Sequence, residues 1–234
     1  RAAAREWIKK QPRRGPGGRG PGGGGPGGGR MPFGEPEPAA PRGEPKQVEQ
    51  QDVTAYPDRP LYDASIVRTI FLVFPQQDWF EELADFYRSD VAVPATMIVD
   101  GKEYRDVGVG FRGNSSYFGV QGKKKSFAID VDASDPKQKL DGFGSLNLLN
   151  CHEDPSYLRE TLHAFVTRIF SHALQANVVQ LVVNGESWGL YANVEQFDKD
   201  FLDAEYGTRK GVRWKAPANP RGGAGLAWLG DERG

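Results

Sequence analysis

The chain has 234 residues with 30 Lys/Arg, 31 Asp/Glu, three His and one Cys, a formal net charge of −1. The lone Cys151 excludes an intrachain disulfide and a cysteine zinc site, and no apolar run reaches the ~20 residues of a membrane-spanning helix. The small net charge hides a division: Arg1 to Arg30 carries eight Lys/Arg and one Glu, so the rest of the chain is acidic.

Residues 1–50 hold 13 of the 30 glycines and 9 of the 17 prolines, with almost nothing apolar to bury. Such a segment cannot offset its ordering entropy and is expected to be a disordered, basic Gly/Pro-rich linker. Ala2 to Lys10 could form one short helix. Arg1 to Arg30, the basic stretch of the arm, has a single aromatic residue, Trp7, for base stacking, so a soluble tether is favoured and nucleic acid is not expected as a partner. Folding is expected to begin near Asp52, making residues 51–234 one domain.

Ile66 to Phe74 reads as a buried strand closed by Pro75. Asp78 is placed to cap a helix carrying Trp79, Leu83, Phe86 and Tyr87 at helical spacing. Ala95 to Val99 and Glu103 to Phe111 flank Asp100-Gly101, a strong hairpin signal. Lys125 to Val131 is a further strand with Phe127, Ile129 and Val131 on one face. Asp154-Pro155 marks a cap and first helical position, and the helix is expected to run to about His172. Its stripe of Leu158, Leu162, Phe165, Val166 and Ile169 is expected to be buried, at ~100° per residue. Val178 to Val183 and Trp188 to Glu195 pair across Asn184-Gly185, and a helix from Lys199 ends at Gly207. Hairpins interrupted by a helix predict an α+β fold, a mostly antiparallel sheet with a central packed helix.

The chemistry concentrates in Arg112-Gly113-Asn114-Ser115-Ser116 and the nearby Lys123-Lys124-Lys125-Ser126-Phe127. Short side chains and a glycine can let backbone N–H groups approach phosphate oxygens while a lysine supplies the cation. Strand alternation puts Lys125 on the side of Phe127 and Ile129 and Lys124 on the other, with Lys123 facing solvent. The three histidines form no recognised metal spacing. Asp130, Asp132 and Asp135 lack the glycine and terminal glutamate of a calcium loop.

Val107 to Ser116 followed by Lys-Lys-Ser-Phe closely resembles the opening of the CotH-like kinases, the spore coat protein H family. Leu146 to Asn150, Asp154 to Glu160, Val183 to Tyr191, Val194 to Leu202 and Trp214-Lys215 follow in that family's order, so the resemblance runs from about Ser65 onward. It implies a protein-kinase-like N-terminal lobe and transfer of the γ-phosphoryl group of ATP to Ser/Thr of a protein substrate, with Mg2+ or Mn2+. Under that resemblance Lys125, with Lys124 as alternative, contacts the α and β phosphates. Arg112, Gly113, Asn114, Ser115 and Ser116 form the phosphate loop, with Gly110 where many relatives carry arginine. Glu195 and Glu160 compete as the lysine's carboxylate partner. Glu160 lies opposite the centre of the helix stripe, which argues against it, and Glu195 stands at a strand end. The catalytic and metal-binding aspartates are expected from segments beyond Trp214-Lys215 and past the end of the chain, which therefore reads as the N-terminal portion of the kinase domain and is expected to be inactive in isolation. Asp231 is too near the end to assign. The resemblance also suggests an extracellular or cell-surface protein; the rival reading is a non-catalytic surface or coat assembly module.

Overall fold

In the computed structural model the described residues are 46–211, 214–215 and 227–228. The expected disorder of the arm and the position of Asp231 lie outside them. Order begins earlier than Asp52, because Val48 is buried and its N–H donates to the Gly185 carbonyl at 2.8 Å.

Seven strands form a closed barrel: β1 (Arg68–Val73), β2 (Val93–Val99), β3 (Lys102–Arg112), β4 (Ser126–Asp130), β5 (Ser145–Leu149), β6 (Ala176–Val183) and β7 (Glu186–Val194). The order around the barrel is β1-β2-β3-β4-β5-β7-β6, and β6 returns to pair in parallel with β1. All other neighbouring pairs in the barrel are antiparallel. Alternation sends Ile70, Leu72, Met97, Val107, Val109, Phe127, Ile129, Leu146, Leu148, Val179, Leu181 and Tyr191 into one continuous core. Both expected hairpins form, with left-handed φ at Asp100 (52°), Gly101 (78°), Asn184 (48°) and Gly185 (84°). A short ribbon pairs β8 (Trp214–Lys215) with β9 (Ala227–Trp228).

Helix α1 (Trp79–Asp85) closes one end of the barrel, burying Leu83 and stacking Trp79 on Phe74 at 4.7 Å. Asp78 stands at its N-cap position without a side-chain cap hydrogen bond. The one-turn helix α2 (Ser115–Phe118) follows β3, and α3 (Arg159–Phe170) lies against β6 and β7. Helix α4 (Lys199–Tyr206) is capped by the Asp198 carboxylate, which accepts from Asp200 N and Phe201 N, and ends at left-handed Gly207.

The expectation of a kinase-like α+β lobe around a central packed helix is overturned. A sheet that closes on itself fills its inner face with its own side chains and leaves no open face for a helix to cover. Helix α3 therefore sits outside the barrel with only Ala164 buried, and Leu158, Leu162, Phe165, Val166 and Ile169 are exposed rather than buried. It also starts later than expected. The Asp154 carboxylate caps a preceding turn, accepting from Ser156 N at 3.1 Å and from Arg159 N at 2.9 Å.

Candidate functional site

The phosphate-loop residues and the lysines meet at one end of the barrel. Arg112 ends β3 opposite Ser126 at the start of β4, so the connecting segment must turn back between two paired strands. Gly113 makes that turn at φ 91°, where a Cβ would collide with Ser116 Oγ. The loop is fixed from outside: Tyr87 Oη donates to the Gly113 carbonyl, and Arg88 donates to Asn114 Oδ1. Ser115 opens α2, whose Tyr117 stacks on Tyr87 with centroids 3.7 Å apart.

Lys123 to Lys125 do not continue the strand. Lys125 N donates to the Lys123 carbonyl at 2.7 Å, a tight turn that breaks the alternation assumed from sequence. Lys124 consequently stands over the rings of Tyr157 (4.5 Å) and Tyr191 (5.0 Å), the latter part of the barrel core, and donates to Tyr157 Oη at 3.0 Å. Lys125 turns toward the loop, donating to the carbonyls of Tyr117 at 2.7 Å and Val120 at 2.5 Å, and burial lowers its pKa. Lys123 is exposed, with its ammonium 5.6 Å over the Phe80 ring.

Two cations here lack a carboxylate among the described residues. The Arg112 guanidinium is half-buried, and desolvation lowers its pKa with no compensating partner. Lys124 has the Tyr157 hydroxyl and two ring faces but no ion pair. A Cβ added at Gly110 would meet nothing within 4 Å, so the glycine there is not required by close packing at that atom.

The two candidate carboxylates are separated. Glu160 opens α3 on the exposed side of the first turn, and the Cys151 thiol feels both it and Lys124; the thiol's pKa is raised chiefly by burial. Glu195 lies past the far end of β7, buried, with its carboxylate accepting from Gln175 N at 2.9 Å. Burial holds its pKa above the usual carboxylate range. Neither forms an ion pair with Lys124 or Lys125 among the described residues.

Sequence reasoning missed Asn150 and Tyr157 as site residues. Asn150 is buried and its Nδ2 donates to the carbonyls of Lys124 (3.0 Å) and Ser116 (3.3 Å), tying the lysine turn to the loop. An asparagine closing the apolar run Leu146 to Leu149 was the available signal. Tyr157 gave none, because its left-handed φ of 59° belongs to the turn organised by Asp154.

A search of curated proteins finds no match. The family model described as CotH kinase protein matches residues 109–229, from the inner face of β3 through the phosphate-loop candidates and both lysines to the residues after β9. That match covers more than half of the chain, and the chain belongs to the CotH kinase family.

Proposed function

We propose that this chain supplies the phosphate-binding part of a kinase that transfers the γ-phosphoryl group of ATP to Ser/Thr of a protein substrate. The observation that carries this reading is the pair Arg112 and Lys124, two partly buried cations flanking a glycine turn with no carboxylate among the described residues. Removing a charge from water without a counterion is costly, and an anionic ligand offsets that cost. A polyphosphate suits both groups: the guanidinium can engage two oxygens and the ammonium acts as a point charge. Family membership supports phosphoryl transfer as the reaction.

In this reading Arg112 and Lys124 hold phosphate oxygens, Gly113 allows backbone approach, and Asn150 keeps the loop and lysine in register. Lys125 shapes the loop through its two carbonyl contacts. Glu195 is buried and its carboxylate is engaged by Gln175 N, whereas Glu160 is exposed on the first turn of α3, and we assign Glu160 the positioning role ahead of Glu195. The described residues contain no group of three or more His, Cys, Asp or Glu that could hold a metal ion, so no step is assigned to Mg2+ or Mn2+.

A second reading, an assembly module without catalysis, is favoured by the exposed apolar face of α3, where Phe165 is 66% and Phe170 83% exposed. ATP titration and transfer to a serine peptide by the full-length protein separate the two. Arg112→Gln and Lys124→Met should each weaken ATP binding about tenfold or more, the scale of a charged hydrogen bond. ATP affinity unchanged in both variants would rule out the phosphate assignment.

A further inference from the structure

A cleft of about 340 Å3 opens beside the lysine turn and uses none of the loop residues. Its walls are Trp79 and Phe80 of α1 and Trp188 of β7, and Glu81, Lys123 and Glu186 stand around them. The rings are tilted against one another, with centroids 5.4 Å apart for Trp79 and Trp188 and 6.2 Å for Phe80 and Trp188. Trp188 is followed by Gly189, whose added Cβ would lie 3.8 Å from the Lys124 ammonium, so the cleft adjoins the proposed phosphate site.

The charges around the cleft discriminate between ligand classes. Among the described residues Glu81 and Glu186 have no ion pair or side-chain hydrogen bond, and Lys123 has only the Phe80 ring. An anion would face two carboxylates, and a cation would face the ammonium. A purely apolar ligand would cover polar groups without satisfying them. The ligand that answers all of them is neutral, offers hydroxyl donors to the carboxylates and oxygen acceptors to the lysine, and has a C–H face for the aromatic walls. A cleft of this volume lies at the small end of ligand pockets.

We propose that this cleft binds one ring of a neutral carbohydrate. The inference stands apart from the phosphoryl-transfer reading, because it uses different residues and its test needs no nucleotide. The full chain, labelled at its indole nitrogens, is titrated with glucose, galactose, mannose, N-acetylglucosamine and their β-linked trimers. At least one sugar should shift the Trp79 and Trp188 indole resonances. Glu81→Gln with Glu186→Gln should weaken that binding about tenfold while leaving the melting temperature unchanged. Trp188→Phe, which keeps an aromatic side chain in the wall, should weaken it less than Trp188→Ala. No shift with any sugar at millimolar concentration would overturn the proposal. So would shifts of these two resonances by adenosine or an arginine-containing tripeptide in place of a sugar, or full binding by the double glutamine variant.

Discussion

The Lys124 ammonium donates to the Tyr157 hydroxyl at 3.0 Å while standing 4.5 Å from the centroid of the same ring. One side chain thus holds the cation through both its hydroxyl and its π face, leaving the ammonium's remaining donors for a ligand.

Lysine substitutions should separate by role. In the full-length protein Lys124→Met should cut phosphotransfer by orders of magnitude with little change in melting temperature, since the residue makes no ion pair among the described residues. Lys125→Met strips a donor from two loop carbonyls and should cost about 1–2 kcal/mol in denaturant unfolding. Lys123→Met should alter neither measurement much. A stable Lys125→Met protein with no transfer, beside a fully active Lys124→Met, would reverse the assignment.

Arg68 offers a stability test remote from the site. It is 2% exposed and uses every guanidinium donor: Nε to Asp100 at 2.6 Å, and Nη1 and Nη2 to the carbonyls of Pro60, Leu61, Tyr56 and Arg59. Arg68→Met should cost about 3–5 kcal/mol in urea unfolding, because it leaves Asp100 without its ion-pair partner and frees the 56–61 segment. A loss below about 1 kcal/mol would mean that this segment holds itself in place.

Helix α3 gives the opposite expectation from the one its periodicity suggests. Leu162 is 56% exposed, so Leu162→Ser should change stability by no more than about 0.5 kcal/mol. The cost expected of a buried leucine, about 2–5 kcal/mol, would place the stripe against a partner in solution.

Glu195 predicts a pH dependence. Burial raises its carboxyl pKa, so the folded state favours the protonated form more than the unfolded chain does. That contribution is fully present below the unfolded value and is lost as pH rises through the folded one. Glu195→Gln should therefore be more stable than the parent at about pH 7.5, and the gap should close toward about pH 4.5, near the ordinary glutamate pKa. Paired urea titrations at the two pH values check it; a gap that widens on acidification would contradict the sign.

The legible parts of the fold were those decided within a few residues. Asp100-Gly101 and Asn184-Gly185 announce their turns because few dipeptides accept left-handed φ, and Gly207 ends α4 for a similarly local reason. Strand β5 escaped notice because Leu146 to Leu149 shows no alternation, being buried at Leu146, Asn147 and Leu148 alike. The stripe on α3 was read correctly as apolar and wrongly as buried, since barrel closure depends on partners far away in sequence. At the site, residue types singled out the loop and the lysines as candidates, whereas our preference for Lys124 over Lys125 rests on a single tight turn at Lys123 to Lys125.

The seam between β1 and β6 has a consequence for how the molecule forms. It joins Arg68 to Val179 and Leu72 to Val183, near opposite ends of the barrel sequence. The β1–β2 and β6–β7 hairpins can form early from neighbouring residues, but β1 keeps one edge open until β6 has been made. Ring closure is thus expected to be a late, slow event, with the nascent chain vulnerable to self-association at β1 until Asn184 seals the seam by accepting from Phe74 N at 2.7 Å. Stopped-flow refolding of Asn184→Ala, slowed in its last phase alone, would locate that event.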